Sequence, residues 1–254
     1  MSIKREDLMQ YLTALLQPAK FKDYCPNGLQ VEGTGTISKI ITGVTASQDL
    51  IDAAIEQKAD AILVHHGYFW RGENECITGI KKKRIQALLA NNINLIAYHL
   101  PLDNHSELGN NVQLAKVLDL TVETTLDPND PSVPGLIGRL PRPMSADAFS
   151  AWLGECLKRE PLHLGPDSSD VIETIAWCTG GAQGYMQYAI DAGVDVYLTG
   201  EVSEQNQHLA VETGTHFFAA GHHATERYGA RALGQHLAKK FELDVNFIDI
   251  DNPA

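Results

Sequence analysis

Cysteine is scarce in this chain of 254 residues. The four present, Cys25, Cys76, Cys156 and Cys178, lie far apart and form no CxxC pair. Neither a disulfide framework nor a thiolate zinc site is indicated, and reduced thiols are expected. Long apolar runs are also missing. No stretch approaches the roughly eighteen apolar residues of a membrane span, and Met1–Asp7 has no apolar core of a signal peptide. A soluble, cytoplasmic protein is expected. Basic charge is in short supply, with 20 Lys and Arg against 32 Asp and Glu, a formal net charge of −12. Such a surface repels phosphate backbones, which argues against a broad nucleic-acid footprint. Glycine (21) and proline (11) are not enriched, which excludes collagen-like and low-complexity chains. The P-loop GKS/T, the GxGxxG fingerprint and the GxSxG elbow are all absent. No cysteine has a visible partner base, so catalysis by a side-chain nucleophile has no support.

What remains is an ordinary globular composition, 44% hydrophobic and 20% charged, long enough for one large domain or two moderate ones. Hydrophobic periodicity alternates between helix and strand. Helices are expected over Ile3–Leu16, Gln48–Gln57, Lys82–Asn91 and Gly109–Leu120, and strands over Ile37–Val44, Asp60–His65 and Asn94–His99. This alternation predicts an α/β fold with a largely parallel sheet.

The pattern then repeats. Leu114–Leu120 (LAKVLDL) resembles Leu237–Leu243 (LAKKFEL) at an offset of 123, and His99-x3-Asp103 falls on His222-x3-Glu226 at the same offset. Ala54-Ile55-x4-Asp60-x2-Leu63 falls on Ala189-Ile190-x4-Asp195-x2-Leu198 at an offset of 135, and the first helix has a counterpart in Asp147–Leu157. We read two similar α/β lobes from an internal duplication, 1–125 and 126–254, interwoven into one compact unit. The proline- and acid-rich stretch 126–134 marks the joint. Ligands of parallel sheets bind beyond the carboxyl ends of the strands, so a site in the cleft between the lobes is expected.

The ten histidines are not scattered at random. His65-His66 ends a strand and precedes Gly67. His99 ends the next, with Asp103 four residues on. Glu201 follows Val196–Gly200, and His222-His223 follows Phe217–Gly221, with Glu226 four residues beyond His222. A helix starting near residue 223 sets His222 and Glu226 on one face, where imidazole and carboxylate can hold one cation. Neighbours inside a strand point to opposite faces, but at a strand end followed by glycine both histidines can serve a metal site. His65, His66, Asp103, His222 and Glu226 suffice for a two-metal centre with positions left for water, and His99 is a sixth candidate or an outer partner. The expected cofactors are two divalent ions per chain, of the Zn, Mn, Fe or Co type. Metal-activated water is then the nucleophile. Weaker signals are Gly180–Gly184, a glycine-rich loop able to cradle an anion, and Glu204-Gln205 as a helix cap. The run Tyr68-Phe69-Trp70 reads as core or a stacking surface, and Lys81–Arg84 as a solvated helix start.

Four segments carry a resemblance. His65–Trp70 (HHGYFW), His99–Asp103 (HLPLD), Thr199–Gln205 (TGEVSEQ) and Gly221–Arg227 (GHHATER) resemble the GTP cyclohydrolase 1 type 2 homologue family. This family is also called NIF-three-like and includes the bacterial YbgI proteins. The resemblance spans essentially the whole chain. It implies two similar lobes, a dinuclear metal centre between them and a ring-shaped hexamer. Carried over residue by residue, the metal set is His65, His66, Asp103, His222 and Glu226, with His99 in the matching third motif. Many members have Gly-Asp where this chain has Gly200-Glu201, whose side chain is one methylene longer.

The resulting functional expectation is a metal-dependent hydrolase of a nucleotide or related small molecule, such as one opening the imidazole ring of GTP. His223 or Glu201 would move protons in it. The alternatives are a non-catalytic metal-binding or regulatory ring protein, and a DNA-repair-associated protein whose ring admits a single strand.

Overall fold

The computed structural model describes residues 1–130 and 132–254. Residue 131, inside the expected joint at 126–134, lies outside the described residues. Two compact units are present, Met1–Gly109 with Gly229–Asp251, and Asn110–Tyr228 with Asn252–Ala254. Both are discontinuous in sequence, whereas the sequence reading divides the chain once, at 125/126.

The first unit runs β1 (Ile3–Lys4), α1 (Arg5–Leu16), β2 (Gly28–Val31), β3 (Thr36–Ile37), β4 (Lys39–Thr45), α2 (Gln48–Glu56), β5 (Ala61–His66), α3 (Gly79–Ala90), β6 (Asn94–Ala97) and α4 (Leu100–Asp103). The second runs α5 (Asn110–Val117), β7 (Thr121–Thr125), β8 (Leu136–Ser145), α6 (Ala146–Leu157), β9 (Leu162–Leu164), β10 (Val171–Trp177), α7 (Met186–Ala192), β11 (Val196–Thr199), α8 (Glu204–Thr213) and β12 (His216–Ala219). Helix α9 (His222–Phe241) starts in the second unit and continues into the first, which the chain rejoins at β13 (Asp244–Phe247).

The first unit holds a five-stranded sheet in the order β13-β4-β5-β6-β2, parallel except for the edge strand β2. Its three central strands are apolar on both faces, the signature of a sheet covered by helices on both sides. Leu50, Ile51 and Ala54 of α2 with Ile85 and Leu88 of α3 pack on Ile62 and Val64. On the other face Leu8, Leu12 and Leu16 of α1 with Leu233 and Leu237 of α9 pack on Ile40, Leu63 and Ile96.

The second unit holds a six-stranded sheet, β7-β8-β10-β11-β12-β9. Strands β10, β11 and β12 are parallel, and β8 and β9 flank them antiparallel. Phe149, Leu153 and Leu157 of α6 pack with Ile175, Trp177, Leu198 and Phe218 on one face. Met186 and Ala189 of α7 and Ala210 of α8 cover Ala176, Tyr197 and Phe217 on the other. The α8 start is capped by Ser203 with Asn206 in a reciprocal box, not by Glu204-Gln205, because only a short side chain at the position before the helix reaches its free N–H groups.

The units share more than composition. In each, an aspartate heads the second parallel strand and accepts three hydrogen bonds from the start of the first. Asp60 Oδ2 takes Ser38 N (2.8 Å), Ser38 Oγ (2.7 Å) and Lys39 N (2.9 Å). Asp195 Oδ2 takes Glu173 N (2.9 Å), Thr174 N (2.8 Å) and Thr174 Oγ1 (2.8 Å). Among the described residues no helix is long and apolar enough to cross a membrane.

Candidate metal centres

In the first unit the candidate residues gather beyond the carboxyl ends of β5 and β6. His65 and His66 are the last two residues of β5. His99 does not end a strand as expected. Strand β6 stops at Ala97, and His99 caps α4. Pro101 near the start of α4 fits a first helical turn, and that single turn carries Asp103 back toward the histidines. Ring centroids lie 4.5 Å apart for His65 and His66, 5.0 Å for His65 and His99, and 5.7 Å for His66 and His99. One ring nitrogen from each of the three falls within 4.8 Å of the others. The glycine after the doublet is required, because a Cβ at Gly67 would sit 2.2 Å from Gln30 Oε1, which itself holds Tyr68 N at 2.7 Å.

The outer hydrogen bonds set which nitrogen is offered. His65 Nδ1 lies 3.0 Å from the Tyr98 carbonyl and donates to it, which turns its Nε2 away from the backbone. That Nε2 faces Asp103 Oδ1 at 3.4 Å, with both side chains buried. A lone pair and a carboxylate so placed are at rest only with positive charge near them, a proton on Nε2 or a metal ion. The donor set therefore fits a divalent cation of intermediate softness. His99 Nδ1 donates to Asp23 Oδ1 at 2.7 Å, and His66 Nδ1 meets Thr45 Oγ1 at 3.3 Å.

Asp23 is a site residue that sequence reasoning missed. It stands with Cys25 and His99 in a second grouping of potential ligands, but its oxygens are already committed. Oδ1 takes Tyr24 N (2.6 Å) and His99, and Oδ2 takes Asn27 Nδ2 (2.8 Å) and Leu100 N (3.0 Å). Four bonds fill a carboxylate, so Asp23 orients His99 instead of binding metal. Burial opposes its ionisation, yet the His99 and Asn27 bonds hold it down to about 2. Burial pushes the Cys25 thiol up to about 12, with Asp23 adding to the effect. The aromatic run divides. Tyr68 is core and donates to the Ala46 carbonyl. Trp70 stands edge-on to His99 at 5.0 Å and 5.9 Å from His66. Lys81 is tied to Asn74 O and Glu73.

In the second unit His222 and Glu226 occupy the first turns of α9, one residue sooner than the expected start near 223. His222 Nε2 lies 3.0 Å from Glu226 Oε2, and His222 Nδ1 lies 2.7 Å from Glu201 Oε1. Burial disfavours the imidazolium, but the Glu226 and Glu201 carboxylates outweigh it and hold His222 up to about 9. Glu201 is thus the outer partner that fixes Nδ1–H and leaves Nε2 facing Glu226, which is buried. His223 is buried next to it, with its backbone N–H donating to the main-chain oxygen of Ala254.

The glycine-rich loop does not form the anion cradle the sequence suggests. Gly180 N donates to Thr225 Oγ1 (3.0 Å) and Ala182 N to Thr199 Oγ1 (3.3 Å), so these donors are spent inside the fold. The loop instead makes room for the ligands. A Cβ at Gly180, whose φ is +71°, would lie 1.9 Å from Glu226 Oε1. A Cβ at Gly200 would lie 2.7 Å from the Gly180 carbonyl and from His222 Cα. The glycine doublet was the visible signal, and its partner was hidden because Glu226 is 46 positions away.

The profile of Duf34/NIF3 (NGG1p interacting factor 3) matches residues 3–253. A Pseudomonas aeruginosa protein named "GTP cyclohydrolase 1 type 2 homolog" is 55% identical over 254 residues, 100% of both chains. A solved structure described as protein ybgI, unknown function, superposes with a TM-score of 0.95 at 50% identity, covering 99% of this chain and 100% of the other. TTHA1606 from Thermus thermophilus gives 0.88 at 34% identity, with the same coverage. With its histidine doublet and its His222–Glu226 turn in these settings, the chain belongs to the DUF34/NIF3 family.

Proposed function

We propose that the protein binds two divalent ions per chain and is a metal-dependent hydrolase of a nucleotide or related small molecule. The ligands are His65, His66, His99 and Asp103 of the first unit and His222 and Glu226 of the second. One observation carries this reading. Each unit holds an imidazole whose far nitrogen is engaged by an outer acceptor, Tyr98 O or Glu201, while Nε2 faces a buried carboxylate, Asp103 or Glu226. Acceptor, imidazole and cation in line is the arrangement by which proteins orient metal ligands.

Bound ions of this kind supply Lewis acidity, acidifying water and stabilising negative charge that develops on oxygen. The chain's own groups do the rest. Glu201 keeps the proton on His222 Nδ1, and His223 beside it is the second candidate for moving a proton. Tyr24, half exposed, and Trp70 flank His99 and offer a planar substrate an aromatic wall. The relative's name points to a purine nucleotide, and that substrate class is adopted here as part of the proposal. The ring-shaped homohexamer and cytoplasmic location implied by the resemblance belong to it too, and light scattering on the eluted protein tests the first.

The deciding experiment is elemental analysis of protein purified without chelator or affinity-tag metal, beside His65→Ala, His222→Ala and Glu226→Gln. About two transition-metal ions per chain are expected, fewer in each variant, followed by turnover of a purine nucleotide by the loaded wild type. Absence of stoichiometric metal after reconstitution overturns the reading.

A further inference from the structure

The glycine-rich loop 180–184 carries one long side chain, that of Gln183. Gln183 opens a tight turn, Gln183–Tyr185, ahead of α7. Its backbone is fixed independently of its side chain. The Ala182 carbonyl accepts the buried Tyr197 hydroxyl at 2.7 Å, and the Gln183 carbonyl accepts Nδ2 of the buried Asn206 at 2.9 Å. The side chain itself reaches back to the end of β11. Its Nε2 donates to Glu201 Oε2 and to Ser203 Oγ, each at 3.3 Å. The Glu201 carboxylate also lies along the loop backbone, since a Cβ at Gly181 would sit 3.4 Å from Oε2.

Two observations tie this amide to Glu201. The first is its own oxygen. Gln183 Oε1 is buried and has no hydrogen-bond partner among the described residues. A buried acceptor left unpaired is destabilising. Turning the amide over would set that oxygen against the Glu201 carboxylate, acceptor against acceptor. The carboxylate therefore dictates which way the amide points, against the preference of the amide itself. The second is the exposure of Glu201, whose side chain is 46% exposed. A long carboxylate in water holds a partner poorly, because ordering its flexible stem costs entropy. Glu201 Oε1 nevertheless lies 2.7 Å from His222 Nδ1. With Oε2 held by Gln183 as well, each oxygen has a donor of its own and the carboxylate has one orientation.

We propose that Gln183 is a positioning residue. By holding Glu201 Oε2 it keeps Oε1 on His222 Nδ1, and so keeps His222 Nε2 turned to Glu226. Its effect on metal affinity rests on the metal reading above; its hold on Glu201 and His222 does not. Losing a direct outer partner weakens metal binding about 10–100-fold, and Gln183 stands one bond further out, so Gln183→Ala is expected to weaken it about 3–10-fold.

The test has two arms. In the first, zinc affinity is measured by chelator competition at mildly alkaline pH for wild type, Gln183→Ala and Gln183→Glu. Gln183→Glu keeps the shape but replaces the donor with an acceptor facing a carboxylate. A packing role makes it the milder change, whereas positioning makes it the worse one. In a Glu201→Ala background, Gln183→Ala is expected to change the affinity by less than about twofold, because a residue acting only through Glu201 has nothing left to hold. An equal loss with and without Glu201, or wild-type affinity in Gln183→Glu, overturns the proposal. The second arm uses metal-free protein and reads the His222 Nδ1–H proton by NMR. A persistent downfield resonance is expected in the wild type, lost by exchange with water in both Gln183 variants. It should be kept in Gly184→Ala, where nothing lies within 4 Å of a Cβ. Its persistence in both Gln183 variants, or its absence from the wild type, overturns the proposal. Its loss in variants of a protein that binds no zinc supports the role of Gln183 and sinks the metal reading alone.

Discussion

Replacing Gly180 by alanine tests the Glu226 pole without touching a ligand. Gly180 is buried with φ +71°, so any Cβ there incurs the left-handed penalty of about 1–2 kcal/mol. The new methyl would lie 1.9 Å from Glu226 Oε1, 2.7 Å from its Cδ and 3.1 Å from His222 Nε2. Contacts between such atoms settle at roughly 3.5 Å, so the carboxylate must retreat by more than about 1 Å. Metal–ligand distances tolerate only about 0.2 Å of error. One ligand is therefore lost, and metal affinity should fall at least about tenfold, or 1.4 kcal/mol. The metal-free protein should lose only about 1–2 kcal/mol of stability, the backbone penalty alone, if the carboxylate swings toward water. Competition against a chromogenic chelator reads the first quantity and urea unfolding of metal-free protein the second. Gly184→Ala is the control, since nothing lies within 4 Å of a Cβ there, and it should be silent in both assays. Wild-type metal affinity in a folded Gly180→Ala protein would refute the placement of Glu226 as a ligand.

Three further outcomes follow from the same geometry. Asp23→Asn loosens the His99 ring and should weaken metal binding about 10–100-fold, the usual effect of losing an outer partner. Because Asp23 is held down to about 2, its stabilising contribution is present above about pH 4 and lost as pH falls toward 2. The variant should therefore show a shallower acid limb in circular dichroism. Metal uptake should release a proton, because His222 held up to about 9 carries one at neutral pH. Calorimetry in two buffers of different ionisation heat will give different apparent enthalpies, and identical enthalpies would contradict the His222 assignment. Asp195 is partly buried, which opposes its ionisation, but the bonds from Thr174 and Glu173 outweigh this and hold its carboxyl below its ordinary value, so its contribution to folding is full above that ordinary value and is lost as pH falls through the lowered one. Asp195→Asn should cost about 1–3 kcal/mol at pH 7 by urea unfolding, with the difference from wild type shrinking as pH falls below about 4.

Much of the site was legible because its signals are local. His65-His66-Gly67 is contiguous, and His222 and Glu226 are one helical turn apart, so periodicity alone brings each set together. The strand–helix alternation was equally visible in buried runs such as AILVHH and HFFA. What escaped was long-range. The Asp23–His99 bond spans 76 positions, and nothing in the sequence around Asp23 distinguishes it from a surface acid. The unit boundaries escaped for a similar reason. Strand β13 pairs with β4 some 200 positions earlier, and neither strand's composition announces the other. Gly180-Gly181 was noticed but misread, since a glycine needed for close approach looks the same in sequence as one that cradles an anion.

The two units also explain why ligands sit where they do. Ile40 faces Ala61, which faces Asn94, in the first sheet, and Ile175 faces Val196, which faces His216, in the second. The first two of these positions are related by the offset of 135 seen in the sequence, and the paired aspartates Asp60 and Asp195 obey it too. Carried to the strand ends, that offset sets His65 against Gly200 and His66 against Glu201, while the offset of 123 sets His99 against His222 and Asp103 against Glu226. This is the pattern a duplicated ancestor would leave, with the later pair kept as imidazole and carboxylate in both units. At the earlier pair the units differ, and packing at Gly200 accounts for the difference. In the second unit His222 and the Gly180 carbonyl press against position 200 so closely that a Cβ there would clash at 2.7 Å. A histidine matching His65 cannot fit, and the neighbouring Glu201 serves from outside, holding His222 by its far nitrogen. The asymmetry of the ligand sets thus follows from packing at one glycine. Gly200→Ala should accordingly disturb His222 and weaken metal binding, while the first unit's three-histidine cluster keeps its geometry, a contrast that the imidazole resonances of His65 and His222 would report separately.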